Sequence, residues 1–455
     1  MIVSTHFRLN LLNLSEILML KNLFSFSTKC IAPLCFIFVL IVNSLPLKAQ
    51  FVKGADVSWL PQMEATGYKF YNSTGVQSNC LQILKDKEIN TIRLRVWVNP
   101  SNHKTNGHCS KKETVVMAMR AKAMGMNVMI DFHYSDTWAD PGNQTKPAAW
   151  ASHTFAQLLT DVYNHTYEVL DTLKQCGVTP EWTQIGNEIR GGMLWPDGNS
   201  SNWANLGKLL NKSYDAAKAV DSSIKVVIHL EGGNENSKFR WFFDNAKIQG
   251  VRYDIIGLSY YPYWISPTGH KDYNLSINDL ANNMNDMAAR YGKEVMVVEV
   301  GGLDTQAQET YNMLVAVIGK TMAVPMGKGL GVIYWEPEGA NSWSGYSLSC
   351  WGSNGKPTVA LDAFLTNTTG LNHQVPLSDI HIYPNPCSIG LLNLEFKAVA
   401  DSRIVNIFDL NGKLLKTQIM NSCLRNVMQL NLLPGIYIVS IKDGKYTENK
   451  KLVIR

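Results

Sequence analysis

Glu188 and Glu299 each sit at or just past the end of a short apolar run, the first after Trp182-Thr183-Gln184-Ile185-Gly186-Asn187 and the second after Val295-Met296-Val297-Val298. Hydrolysis of a glycosidic bond needs such a pair: one carboxyl held protonated to donate to the leaving oxygen, one ionised to attack or to activate water. The two are 111 positions apart, so only closure of a fold could set them face to face. Their roles would follow from environment, the less solvated or more negatively surrounded one keeping its proton. A glutamate ending an apolar run can equally be a surface residue at a loop start. That bland reading weakens beside Asn187, whose amide could hold a sugar hydroxyl, and beside Arg95, His133, Tyr260 and Trp335 at neighbouring run ends. Trp59, Trp138, Trp195, Trp343 and Trp351 lie near expected loops and offer flat rings to the C–H faces of sugars, although core packing explains each as well. Asp131 and His133, spaced i and i+2, could suggest a metal site, but no second histidine pair has ligand spacing. The expected site therefore contains no metal.

Such residues need a frame that gathers strand ends. Between positions 50 and 365, eight apolar or β-branched runs are expected as strands: 52–58, 91–98, 127–133, 183–187, 225–230, 255–260, 294–299 and 331–335. Helical stretches separate them. The clearest is Ser152 to Cys176, where Phe155, Leu158, Leu159, Val162, Val169, Leu170 and Leu173 share a face, with Ser152 as the expected cap and Gly177 as the stop. Another starts at Ser276, with Asp279 three residues on, and carries Leu280, Met284, Met287 and Ala288 before Gly292. Strand-then-helix units at this spacing predict an α/β fold, a (β/α)8 TIM barrel, with an open doubly wound sheet as the alternative. A barrel carries its active site at the carboxyl ends of the strands, where these polar residues accumulate.

The chain has 455 residues, 45% hydrophobic and 17% charged, which excludes a disordered or collagenous chain. Its formal charge of +5 resides in the two ends, leaving 50–376 slightly acidic and giving no case for nucleic acid. Lys21 and Lys29 precede an apolar run from Ile31 to Leu47 that ends Leu-Lys-Ala-Gln, which predicts a signal peptide over 1–49, with an uncleaved anchor as the alternative. Six cysteines remain after position 49, with no CxxC pair and no assignable pairing. After a polar linker at 366–376 the texture changes. Residues 377–455 hold none of the twelve tryptophans, and short strands broken by Asn411-Gly412, Pro434-Gly435 and Asp443-Gly444 predict a small all-β sandwich.

Six segments of the body carry a resemblance: GADVS (54–58), INTIRLRVWVNP (89–100), DFHYSDTWADPGNQTKPAAW (131–150), QIGNEIRGGMLWPDG (184–198), SYYPYW (259–264) and YWEPE (334–338). With these, residues 54–364 resemble glycoside hydrolase family 53, the arabinogalactan endo-β-1,4-galactanases. The resemblance implies retaining hydrolysis of β-1,4-galactan, with Glu188 as acid/base and Glu299 as nucleophile and their carboxyls about 5 to 5.5 Å apart. It implies that Asn187 contacts the sugar 2-hydroxyl, that Arg95 orients Glu299, and that Asp56, His133, Trp138, Tyr260 and Trp335 help bind the sugar. Another retaining β-glycanase, such as a mannanase or glucanase, and a surface glycan-binding protein without turnover are the competing readings. The family more often has threonine after the nucleophile, whereas Val300-Gly301-Gly302-Leu303-Asp304 stands here, which puts the cleft's shape in question. No cofactor is expected. Some relatives bind calcium near the last strands; no dense acidic cluster is seen there, and a structural calcium stays open.

The tail is similar to the sorting domain of type IX secretion, on YPNPC (383–387), IFDLNGKLL (407–415), LPGIYIVSI (433–441) and the terminal KKLVIR. That implies passage through the periplasm, a secreted or cell-surface location, and the type IX machinery as a partner. A carbohydrate-binding sandwich is the alternative. Monomeric behaviour is the default expectation.

Overall fold

In the computed structural model, residues 50–265, 272–366, 380–387, 390–396, 402–421, 425–443 and 446–455 are described. The expected signal peptide, most of the linker, Cys423 and the Asp443-Gly444 turn beyond Asp443 lie outside them.

Eight parallel strands close into a barrel: β1 (Val52–Asp56), β2 (Thr91–Val96), β3 (Asn127–Phe132), β4 (Trp182–Ile185), β5 (Lys225–Leu230), β6 (Ile255–Tyr260), β7 (Glu294–Val300) and β8 (Gly329–Trp335). β1 pairs with both β2 and β8, which completes the ring and removes every free edge. Each strand is apolar on both sides because one face meets the ring of helices and the other the barrel axis. Inside, Val52, Met129, Val227, Ile255, Met296, Val298 and Ile333 form a dry floor. Further along, alternation turns Asp131 and His229, two beyond Met129 and Val227, Asp56, four beyond Val52, and with them Arg93 and Gln184 onto the same axis, so a polar layer lies on the apolar one.

The helix expected from Ser152 spans Phe155–Gln175, and its cap is Thr154: the Thr154 hydroxyl accepts from the Gln157 backbone N–H while the Gln157 side chain accepts from the Thr154 N–H. That reciprocal box needs a polar residue three positions on, which Ser152 lacks. Gly177 lies just past the end with φ of +79°, a conformation costly for any residue with a Cβ. The second helix spans Ile277–Tyr291; Ser276 precedes it, yet its hydroxyl meets Tyr260 Oη at 2.8 Å instead of capping.

The tail has its own core. Strands β9 (His381–Tyr383), β10 (Gly390–Glu395) and β13 (Arg425–Leu430) form one antiparallel sheet; β12 (Leu414–Asn421), β11 (Ser402–Phe408), β14 (Gly435–Asp443) and β15 (Tyr446–Ile454) form the other. Leu392, Leu394, Met428 from the first and Val405, Ile407, Val439, Ile441 from the second pack together, as in a β-sandwich. The β11–β12 turn is held by Asp409, whose carboxylate accepts from the backbone of Asn411 and Lys413.

Candidate active site

Two backbone irregularities put the glutamates where they are. Beyond β4, Gly186 has φ of +85° and Glu188 itself φ of +48°, after which the chain enters a tight turn at Ile189–Gly191. A non-glycine residue in that left-handed region costs on the order of 1–3 kcal/mol, and such strain is found where a side chain must be aimed. On β7, Leu258 pairs with Val297 but Ser259 pairs with Glu299, so Val298 is an extra residue. Val298 already faces the axis; regular alternation would send Glu299 outward, and the bulge turns it back in.

Both glutamates line one cleft of about 780 Å³ at the carboxyl ends of the strands, and one oxygen of each lies within 4.8 Å of the other. Glu299 is 6% exposed. Its Oε1 lies 2.9 Å from Arg93 Nη2, and its Oε2 accepts from Tyr261 Oη at 3.1 Å. Among the described residues no cation pairs with Glu188; its Oε1 lies 2.6 Å from Ser259 Oγ, which lies 2.7 Å from His229 Nε2. The electrostatics separate the pair accordingly. Burial, joined by the negative charge of Glu299, raises Glu188 well above the usual carboxylate range. Burial also raises Glu299, but Arg93 and the Tyr261 hydroxyl oppose it. The cleft therefore favours a proton on Glu188 and a charge on Glu299.

Beneath the pair, Arg93 is fully buried and serves three carboxylates: Asp56 at 2.8 Å, Asp131 at 2.9 Å and Glu299. Desolvation pulls against its charge, and the three anions more than restore it. Asp131 is likewise opposed by burial and brought down to about 2 by Arg93 and His133. A buried ion network of this kind holds only if every member is paired. Asn187 donates from Nδ2 to the Ala139 carbonyl at 2.9 Å, which leaves its second amide hydrogen free for a ligand in the cleft.

His133, Trp138, Asn187 and Trp335 line the cleft as expected. Three positions differ. Arg95 does not touch Glu299: it is buried, pairs with Glu336 at 3.1 Å and lies 4.1 Å from the centre of the Trp138 ring, so it backs the aromatic wall while Arg93 holds Glu299. Tyr260 is wholly buried on the outer face of β6 against Ser276, and its neighbour Tyr261 enters the cleft. Asp56 is buried beneath the cleft and reaches it only through Arg93.

Sequence reading missed Arg93, Gln184, His229, Ser259, Tyr261 and Tyr346. The first five share their strand parity with floor residues, Ser259 and Tyr261 falling two and four beyond Gly257, and that parity was the available signal. Trp264, 68% exposed at the rim, was quoted only within SYYPYW. Asp131 and His133 hydrogen-bond each other at 2.9 Å, with Arg93 completing the aspartate. Glu188, His229 and Glu299 offer atoms within 4.8 Å of one another, as a cation site would. Both nitrogens of His229 and both oxygens of Glu299 are already hydrogen-bonded, and Arg93 supplies the positive charge. The five described cysteines are free thiols, Cys176 exposed and the others buried.

A closed (β/α)8 barrel with two unequal carboxyls across one aromatic-walled cleft defines an O-glycosyl hydrolase of the two-carboxylate kind. Residues 52–364 match glycosyl hydrolase family 53, and residues 381–455 match the secretion system C-terminal sorting domain. The chain is 34% identical over 334 residues to a probable arabinogalactan endo-β-1,4-galactanase A of Neosartorya fischeri, covering 66% of this chain and 88% of that one. It is 34% identical over 312 residues to the arabinogalactan endo-β-1,4-galactanase of Thermothelomyces thermophilus, covering 63% and 89%. Among solved structures, the family 53 catalytic domain of Ignisphaera aggregans superposes with a TM-score of 0.64 at 32% identity, covering 70% and 96%. A fungal β-1,4-galactanase gives 0.63 at 30%, covering 70% and 99%. This chain belongs to glycosyl hydrolase family 53 and is a glycoside hydrolase. Its tail is a type IX sorting domain, which directs it to the cell surface or beyond. Among the described residues no helix is long and apolar enough to cross a membrane.

Proposed function

We propose that this enzyme is an arabinogalactan endo-β-1,4-galactanase, cleaving β-1,4-galactan of pectic side chains with retention of configuration. The observation that carries the mechanism is the pair of carboxyls with oxygens within 4.8 Å, one bound to a guanidinium and one not. An inverting pair would stand further apart to admit a water between its members. In the first step the Glu299 carboxylate forms a bond to the anomeric carbon as the glycosidic C–O bond breaks, and the Glu188 proton passes to the departing oxygen. In the second, Glu188 takes a proton from water, whose oxygen displaces Glu299 and restores both groups. Arg93 and Tyr261 keep Glu299 charged and aimed. Trp138, Trp335 and His133 present rings to the sugar, and Asn187 an amide hydrogen to its 2-hydroxyl. Carboxyls fill both roles, so the reaction needs no metal or cofactor. The enzyme acts as a monomer, and residues 1–49 serve as a cleaved signal.

Glu188→Gln tests the assignment. Hydrolysis of linear galactan should fall by at least about 100-fold while galacto-oligosaccharide binding survives. Equal turnover by wild type and variant would overturn the roles. Release of oligosaccharides from mannan or cellulose in place of galactan would transfer the reading to another β-glycanase, and binding without any turnover by the wild type would make the chain a glycan-binding protein.

A further inference from the structure

The carboxyl of Glu188 ends a hydrogen-bonded chain whose direction is fixed from the opposite end. Arg93 can only donate. Its Nη2 lies 3.0 Å from Gln184 Oε1 and 3.3 Å from Asn187 Oδ1. Gln184 Nε2 donates to Asp131 Oδ1 at 2.6 Å and to Asn187 Oδ1 at 3.1 Å, and Asn187 Nδ2 donates to the Ala139 carbonyl. Turning either amide over would set donor against donor or oxygen against oxygen. Asn187 Oδ1 is therefore an acceptor. The ring nitrogen that faces it, His229 Nδ1 at 3.0 Å, must carry a hydrogen. Full burial, with Arg93 beside it, keeps His229 neutral, so Nε2 presents a lone pair. The Ser259 hydroxyl, 2.7 Å away, donates to it. A serine has one proton to give. With that proton committed, Ser259 Oγ can meet Glu188 Oε1 at 2.6 Å only by accepting, and the hydrogen between them belongs to the carboxyl.

We infer that His229 and Ser259 are positioning residues that hold the proton on Glu188, through a chain polarised by the same guanidinium that keeps Glu299 ionised. The inference rests on Glu188 being the acid and adds what makes it one. A serine donating to the carboxylate would do the opposite and release the proton earlier. After Glu188 gives up its proton, the Ser259 hydroxyl must turn towards it and leave His229 Nε2 without a partner, a buried orphan that favours return of the proton from water in the second step. The other groups facing Glu188 are Glu299 on β7, Tyr261 beyond β6, Asp140 in the loop after β3, and Glu231 beyond β5, itself paired with Arg190. Apart from Glu188 itself, those facing His229 are Arg93, Asp131, His133 and Glu299, the last within 4.8 Å. None of them contacts Ser259 Oγ, so the serine's direction is set by His229 alone.

The test is the pH dependence of kcat/KM on soluble galactan for the full chain and its variants. In His229→Leu the freed Ser259 hydroxyl can donate to the carboxylate, and the alkaline limb should move down by about one pH unit or more. His229→Gln keeps a carbonyl acceptor and should hold the limb nearer to wild type. An unmoved limb in a folded His229→Leu protein overturns the inference. Nitrogen-15 NMR of histidine-labelled wild type gives a reading that does not depend on the leucine variant folding. The His229 signals, identified by their loss in His229→Gln, should report the neutral ring with hydrogen on Nδ1 between about pH 5 and 8. A hydrogen on Nε2, or a charged ring, overturns it. Glu188→Ala on an aryl galactoside with a good leaving group separates the two levels. An alkaline limb that persists there removes Glu188 as the acid; a limb lost there but unmoved in His229→Leu removes only the chain.

Discussion

Arg93 illustrates how a single side chain sets the chemistry of its surroundings. Buried without partners it would be untenable; paired with Asp56, Asp131 and Glu299 it is a fixed positive centre under the cleft. A second acidic group lies nearby. Burial, reinforced by Asp56, raises Glu336 to about 8, and burial with Glu336 alongside raises Glu338 well above its ordinary value. Between about 4.5 and 8 the unfolded chain has released the Glu336 proton while the folded chain still binds it. Stability from Glu336 must therefore fall as pH rises through that window and level off above it, and Glu338 acts in the same direction. Asp131 acts in the opposite sense: its contribution is full above about 3.8 and is lost as pH falls towards 2. The midpoint of barrel unfolding, followed by circular dichroism, should decline from pH 5 to pH 8, and Glu338→Gln should flatten that decline. A midpoint that climbs over the same interval would contradict the assignment.

At the scale of the element, strand alternation decides which neighbour acts. Tyr261 follows Ile255, Gly257 and Ser259 on the inner face of β6, while Tyr260 is turned out against Ser276. With Glu299 in its proposed role, Tyr261→Phe should lower kcat by about tenfold or more, since it removes a hydrogen bond to that carboxylate. Tyr260→Phe should leave kcat unchanged and cost about 1 kcal/mol of stability. Reversal of those two outcomes in steady-state kinetics and urea unfolding would mean the strand register is wrong. The helix at Phe155–Gln175 offers a comparison of the same kind. Thr154→Ala should destabilise by about 1 kcal/mol through loss of the capping box. Ser152→Ala should stay within about 0.5 kcal/mol, as expected of an exposed residue outside the helix. The hydrophobic stripe located this helix; its cap two residues later than expected shows that apolar periodicity marks the buried face, whereas the boundary depends on which hydroxyl has a partner three residues on.

Over the whole molecule, barrel and tail each enclose a separate core, so each contains what it needs for its own task. Removing residues 377–455 should leave kcat/KM on galactan unchanged and stop release at the outer membrane. The enzyme would then be recovered from the periplasmic fraction of the source bacterium. Loss of activity in the purified truncated chain would show that the tail contributes to the cleft.

The strand runs, the eightfold alternation, the paired glutamates and the tail's Asn411-Gly412 turn were legible in the chain, because each is a local pattern of apolar period, turn chemistry or contiguous motif. What the linear order could not supply was the inward direction of particular side chains. The choice of Arg93 over Arg95 and of Tyr261 over Tyr260 follows from height and parity on a closed cylinder, and the return of Glu299 to the axis follows from one extra residue opposite Ser259. Charge and protonation were likewise settled only in three dimensions. Glu188 and Glu299 are chemically identical along the sequence, and they differ because barrel closure brings a guanidinium to one and only a serine hydroxyl to the other.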